Sequence, residues 1–230
     1  MFEDALARLG LSTDACEKLE NLAGQFLENG SLRGVTALKT AEAVHDELIL
    51  DSLCGVSALP SSGRVIDIGT GGGVPGLVLA IVRPDLDFTL TDSASKKTKG
   101  VSEMVAMLGL ENVTVETRRL ELLGREEGFR ESFDVVTAKA LASLNVLSEF
   151  AVPLLKLGGR LVAYKGPALS DEIGEARHAL YELGASVHRC HGFQVGSKQT
   201  IVCEVEKVRP TPEKYPRRDG VPQKKPLLHP

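Results

Sequence analysis

The chain has 230 residues, 43% of them hydrophobic, and 31 Asp/Glu against 27 Lys/Arg give a formal net charge of −4. That is enough chain for one large α/β domain with a substantial core. No apolar run approaches the roughly 18 residues that span a bilayer, and the acidic start Met1-Phe-Glu-Asp does not read as a secretion signal, so a cytoplasmic protein is expected. The modest net charge conceals a split: residues 207–230 hold seven Lys/Arg and two Asp/Glu, which leaves about −9 for residues 1–206. A basic arm follows an acidic body. Cys16, Cys54, Cys190 and Cys203 show neither C-x-x-C nor zinc-like spacing, so they read as buried thiols with no disulfide and no metal site.

In chain order, Ala15, Leu19, Leu22, Phe26 and Leu27 fall at helical spacing behind Ser12 or Thr13, and Thr40 opens a second helix carrying Val44, Leu48 and Leu53. Residues 1–60 are thus expected to form a helical unit packed on a main domain of residues 61–207, with residues 208–230 as a basic, proline-rich tail. From Arg64 onward, β-rich runs at 64–68, 86–92, 113–117, 133–138 and 158–164 alternate with helical stretches near 76–83, 96–108, 143–156 and 170–183. Such alternation predicts a mostly parallel sheet with helices on both faces. Residues 186–195 and 199–207, alternating apolar and polar around Gly196-Ser-Lys, predict an antiparallel hairpin at the sheet edge. Five parallel strands and a terminal hairpin make the seven-stranded, Rossmann-like sheet of class I S-adenosylmethionine (SAM)-dependent methyltransferases. A dinucleotide dehydrogenase would call for a sixth parallel strand and a second domain.

The most informative segment is Asp67-Ile-Gly-Thr-Gly-Gly-Gly-Val-Pro-Gly76, between the first strand and an apolar helix. Gly69, Gly71 and Gly73 read as the G-x-G-x-G of SAM enzymes, whereas Gly71, Gly73 and Gly76 read as a dinucleotide G-x-G-x-x-G. Asp92, 19 residues after Gly73 at the end of the second strand, can bind ribose hydroxyls in either case. Asp67 favours SAM, because a carboxylate beside a pyrophosphate repels it while a sulfonium and an ammonium do not. A tight turn with no ligand, a dinucleotide oxidoreductase, a SAM enzyme acting on a small molecule or a protein, and a non-catalytic assembly factor are the competing readings.

Taken with Thr91-Asp-Ser93, Lys96-Lys97, Ala138-Lys-Ala-Leu-Ala-Ser-Leu144, Lys165-Gly166 and the tail from Thr211 to Leu227, this segment makes the chain resemble the small-subunit (16S) ribosomal RNA guanine-N7 methyltransferase G family, also called glucose-inhibited division protein B. The likeness runs from about Val35 to Leu227. It implies SAM as methyl donor, S-adenosylhomocysteine as product, and small-subunit ribosomal RNA or a ribosomal particle as partner of a monomeric enzyme. It further implies a cofactor site lined by Asp67, Gly69, Gly71, Val74, Asp92, Leu120, Glu121 and Lys139. Guanine N7 bears a lone pair and no proton, so an in-line transfer needs no general base, and Lys139, Ser143 and Asn145, with Thr137, are the candidates for positioning. A helix N-cap at Ser143 is the competing structural role.

For RNA, the expected contacts are Lys214, Tyr215 as a stacking platform, Arg217, Arg218, Lys224 and Lys225 on an extended tail, together with Lys96, Lys97 and Lys165. Three positions depart from the family pattern: Lys139 replaces an Arg, Gly34 an Asn and Leu48 a His. Lysine keeps the charge at 139 but loses the planar fork.

Overall fold

The structure, a computed structural model, describes Phe2, Leu6, Arg8 to Arg33 and Thr36 to Leu228, with side chains undescribed at 29–33. Gly34 and Val35 therefore lie outside the described residues. The N-terminal part consists of helix α1 (Thr13–Arg33) and a second helical run made of α2 (Ala41–Val44), a π-helical stretch (His45–Leu50) and α3 (Asp51–Leu53). Ser12 and Thr40 accept from the backbone N–H groups three residues on, at Ala15 and Ala43, which satisfies a free donor at each helix start. Ala15, Leu19, Leu22 and Phe26 are buried as the 3.6-residue period requires, whereas Leu27 lies a step off that stripe and is exposed.

One sheet carries the rest of the chain: β1 (Arg64–Ile68), β2 (Asp87–Asp92), β3 (Val113–Thr117), β4 (Phe133–Lys139), β5 (Leu155–Lys165), β6 (Ala185–Val195) and β7 (Lys198–Lys207), in the order β3-β2-β1-β4-β5-β7-β6. The first five pair in parallel, and β7 and β6 close the edge antiparallel. Between them run α4 (Gly76–Val82), α5 (Ser95–Leu108), α6 (Leu120–Leu123), α7 (Leu144–Ala151) and α8 (Leu169–Leu183), with α9 (Val221–Lys224) in the tail. One face buries Val65, Leu90, Val135 and Val162 with the N-terminal helices, α4 and α5; the other buries Ile66, Val136, Leu161 and Val205 with α7 and α8. Strand β5 begins three residues before its expected start, so Leu157-Gly-Gly lies within it as an irregularity opposite Phe133/Val135. Helix α7 stops at Ala151 and gives way to a 3-10 turn, Val152–Leu154, that contains Pro153.

The order reverses between β1 and β4. A crevice therefore opens outside their carboxyl ends, which is where ligands of such sheets bind.

Candidate functional site

The glycine loop follows β1 directly, and Gly69, Gly71 and Gly73 all have positive φ (63°, 57° and 96°). At Gly69 a Cβ would stand 2.5 Å from Leu141 Cδ1, so the loop passes under that side chain with no room to spare. At Gly76 a Cβ would lie 2.8 Å from both Asp67 Oδ2 and Leu90 Cγ, which makes the close seating of α4 on the sheet depend on glycine. Gly71 differs, since a Cβ there would meet nothing nearer than Gly69 O at 3.8 Å; its outer face is open.

Asp67 was expected to line the cofactor site, but it is fully buried behind the loop. Its Oδ2 accepts from Thr70 Oγ1 (2.6 Å) and Gly76 N (3.2 Å), and Oδ1 accepts from Thr137 Oγ1 (2.7 Å). Burial raises its pKa to about 6, against the opposing effect of those three bonds. Asp67 and Thr137 therefore brace the loop and contact no crevice. Asp92 completes the cradle, taking Gly71 N on Oδ2 (3.0 Å) and Ala94 N on Oδ1 (2.9 Å), with Lys97 Nζ 3.9 Å away. A carboxylate offers about four lone-pair sites, so capacity for ribose hydroxyls remains. With the open face of Gly71, this donor and acceptor set fits a nucleoside.

Val74 is half-buried beside the core of the N-terminal face, and Leu120 and Glu121 open the short α6. Glu121 Oε1 accepts from Gly220 N of the tail at 3.0 Å.

Across the crevice lies a cavity of about 540 Å³ whose lining includes Asp51, Lys139, Leu141, Ser143, Lys165, Glu172, Lys198 and Thr200. Its floor is an ion cluster. Lys139 Nζ lies 2.5 Å from Asp51 Oδ2 and donates to Glu47 O at 2.6 Å, Lys198 Nζ reaches the same carboxylate at 3.1 Å, and Thr200 Oγ1 donates to Oδ1. Burial resists ionisation of Asp51, yet Lys139, Thr200 and Lys198 together hold its pKa below the ordinary value. Burial likewise lowers the Lys139 pKa, with Asp51 opposing. Lys139, expected at the cofactor, thus ties β4 to the N-terminal helices. Just beyond it Ala140 takes φ 53°, an unfavourable geometry for a residue with a Cβ, and turns Leu141 over Gly69.

Ser143 stands at the N-cap of α7 but makes no cap bond; its Oγ donates to Asn145 Oδ1 (2.7 Å). Asn145 is itself buried and also accepts from Val146 N, so neither side chain is free. Lys165 is paired as well, with Glu172 Oε2 and Ala142 O, both at 2.6 Å.

The tail departs most from expectation. Tyr215, expected to stack on bases, is only 4% exposed and donates its hydroxyl to Glu182. Arg217 grips the buried Glu149 with two nitrogens (Nε–Oε1 2.8 Å, Nη2–Oε2 2.6 Å), and Lys214 pairs with Glu182. Arg125 and Arg130 hold the backbone carbonyls of Thr211, Lys214, Tyr215 and Pro216. The segment is thus docked, and it forms a helical turn at Val221–Lys224 where an extended chain was expected. Its cations still line a cavity of about 670 Å³, where Arg218, Lys224 and Lys225 are exposed. On α5, Lys96 is exposed and Lys97 half-exposed. The expected burial of the thiols is corrected too: only Cys203 of the four is buried, Cys16 and Cys54 are half-buried, and Cys190, opposite Cys203, is exposed.

The strand order, crevice and glycine loop are those of the class I SAM-dependent methyltransferase fold. A solved SAM-dependent O-methyltransferase from Thermotoga maritima superposes with a TM-score of 0.52 at 19% identity, over 70% of this chain and 66% of that one. The model of the family described as rRNA small subunit methyltransferase G matches residues 15–202. Relatives bearing the name ribosomal RNA small subunit methyltransferase G include one from Deinococcus radiodurans, 44% identical over 84% of this chain and 78% of its own length. Another, from Moorella thermoacetica, is 38% identical over 94% of this chain and 92% of its own. The chain belongs to the rRNA small subunit methyltransferase G family.

Proposed function

We propose that this protein transfers a methyl group from SAM to N7 of a guanine in small-subunit ribosomal RNA, acting in the cytoplasm as a monomer. The observation that carries this reading is the family match over residues 15–202, on a chain whose glycine loop and Asp92 form one cradle. Among the described residues, no helix is long and apolar enough to cross a membrane.

Gly69, Gly71 and Val74 would hold the cofactor from the loop, Asp92 its ribose, and Leu120 and Glu121 its adenine. When bound, SAM supplies a methyl group already activated by a sulfonium. N7 offers a lone pair and loses no proton, so the chain's task is placement and exclusion of water. Leu141, folded over Gly69, separates the loop from the cavity above Asp51 and presents an apolar wall to the acceptor. The exposed cations Arg218, Lys224, Lys225 and Lys96 serve the RNA backbone, while Lys214, Arg217 and Tyr215 hold the docked tail that carries the first three, and Lys165 is tied to Glu172.

The test is methyl transfer from labelled SAM to small-subunit RNA and to intact small subunits lacking the modification, followed by nucleoside mass analysis. Labelled 7-methylguanosine is expected. SAM binding with no label in either RNA would overturn the reading in favour of a small-molecule or protein acceptor.

A further inference from the structure

An enzyme that methylates N7 uses one edge of guanine and leaves the Watson–Crick edge free to be read. That edge is distinctive: N1–H and the N2 amino group are adjacent donors, whereas adenine and cytosine pair a donor with an acceptor, and uracil sets one N–H between two carbonyls. An ionised carboxylate, which only accepts, is the complement of two donors and repels the other three patterns.

The cavity beside the glycine loop has two carboxylates in its lining, Asp51 and Glu172. Asp51 is fully buried and already engaged, Oδ1 by Thr200 and Oδ2 by Lys139 and Lys198. Glu172, in the first turn of α8, has a side chain 25% exposed. Its Oε2 is clamped by Lys165 Nζ at 2.6 Å and Leu144 N at 2.8 Å, and its Oε1 makes no hydrogen bond among the described residues. One oxygen fixes the carboxylate to the ends of β5 and α7; the other is left as an acceptor on a side chain that lines the cavity. The volume, about 540 Å³, lies within the range of about 300–1,000 Å³ usual for ligand sites.

We propose that Glu172 is the specificity-determining residue of the acceptor site, taking the N1–H and N2–H donors of the target guanine on Oε1. This rests on the guanine-N7 reading above. Lys165 and the Leu144 N–H position the carboxylate, and the buried Asp51 cluster forms a floor that guanine does not contact.

The experiment is a cycle of two enzymes and two substrates. Once the modified guanosine is mapped, small-subunit RNA is prepared with inosine at that position, which keeps N7 and N1–H and lacks the N2 amino group. Wild type and Glu172→Gln are then compared by kcat/KM on both RNAs, with SAM affinity measured alongside. Wild type is expected to lose about tenfold to a hundredfold on inosine, because a held acceptor is left unpaired. Glu172→Gln is expected to lose a similar factor on guanosine and little more on inosine. Glu172→Asp, which keeps the acceptor but shortens its reach, should fall between the two on guanosine.

Wild type that methylates inosine as fast as guanosine overturns the proposal, whatever the variants do. Losses from variant and inosine that simply multiply also overturn it, since they assign Glu172 a structural role. Wild type with no N7 transfer to any guanosine would instead sink the underlying reading, which separates the two failures.

Discussion

The two walls of the crevice are built on opposite plans. On the cofactor wall most bonds stay within the β1–β2 unit: Asp67 holds Thr70 and Gly76, Asp92 holds Gly71 and Ala94, backbone amides do much of the donating, and the Asp67–Thr137 bond reaches out to β4. On the acceptor wall the bonds join distant segments, with Asp51 meeting Lys139, Lys198 and Thr200, and Glu172 meeting the Leu144 N–H. Most of the first wall can form once β1 and β2 pair, with β4 adding the Thr137 bond. The second exists only when the N-terminal helices, β4 and the β6–β7 hairpin have all docked, so it reports on the whole fold.

The largest expected effect tests that dependence. Asp51→Ala leaves the mostly buried Lys139 ammonium, 12% exposed, without its counter-ion, while Lys198, 43% exposed, can turn to water. Removing one partner of a buried pair costs about 3–5 kcal/mol, so the urea midpoint should fall sharply. If instead the midpoint barely moves, the acceptor wall is not a keystone and the contrast between the walls fails.

Next comes Gly76→Ala, directed at the local wall. The added methyl meets Asp67 Oδ2 and Leu90 Cγ at 2.8 Å, both packed and unable to yield freely. Overpacking of this kind costs about 1–3 kcal/mol. SAM affinity should fall with it, because the strained group is the one that holds the loop. A stable variant with normal SAM affinity would show that the loop tolerates a displaced helix.

This division also explains what could be read from the sequence. The glycine run, Asp92 and the strand–helix alternation were legible because hydrophobic periodicity and turn chemistry are local, and the sheet follows from them. Asp67 was legible as important but not in its role: its partner Thr137 is 70 residues away, and spacing alone does not reveal that a carboxylate faces inward. Lys198 and Glu172 went unnoticed because nothing near them in sequence marks them; only the topology brings them to one cavity. In the tail, prolines and cations were read as extension, and the docking of Tyr215 and Arg217 was hidden because their partners, Glu182 and Glu149, sit on helices earlier in the chain.

A smaller effect separates the walls by pH. The Asp67 pKa is raised to about 6 from an ordinary 3.8, so the folded protein binds this proton more tightly than the unfolded chain does. Its contribution therefore favours folding as pH falls through 6 toward 3.8 and is absent above about 7. Asp51 has the opposite sign: its lowered pKa gives stability present above the unfolded value and lost as pH falls through the folded one. The stability of wild type relative to Asp67→Asn should accordingly improve by about 1 kcal/mol between pH 7.5 and pH 5, by urea titration at each pH. A constant difference would mean that Asp67 does not titrate in this window.

The smallest effect on the fold is expected where the tail meets solvent. Arg218, Lys224 and Lys225 are exposed and have no side-chain partner among the described residues, unlike Arg217 on Glu149. Replacing all three with Ala should leave the urea midpoint and SAM affinity near wild type, as surface substitutions do. RNA affinity should drop, and the slope of log K against log salt should shrink by about 2, the share of three phosphate contacts to single strands. Arg217→Ala is the contrasting variant, because it strips the buried Glu149 of its partner and should destabilise the docked tail itself. If the triple variant keeps the wild-type salt slope, the exposed cations do not touch RNA, and the tail is a structural clasp along its whole length.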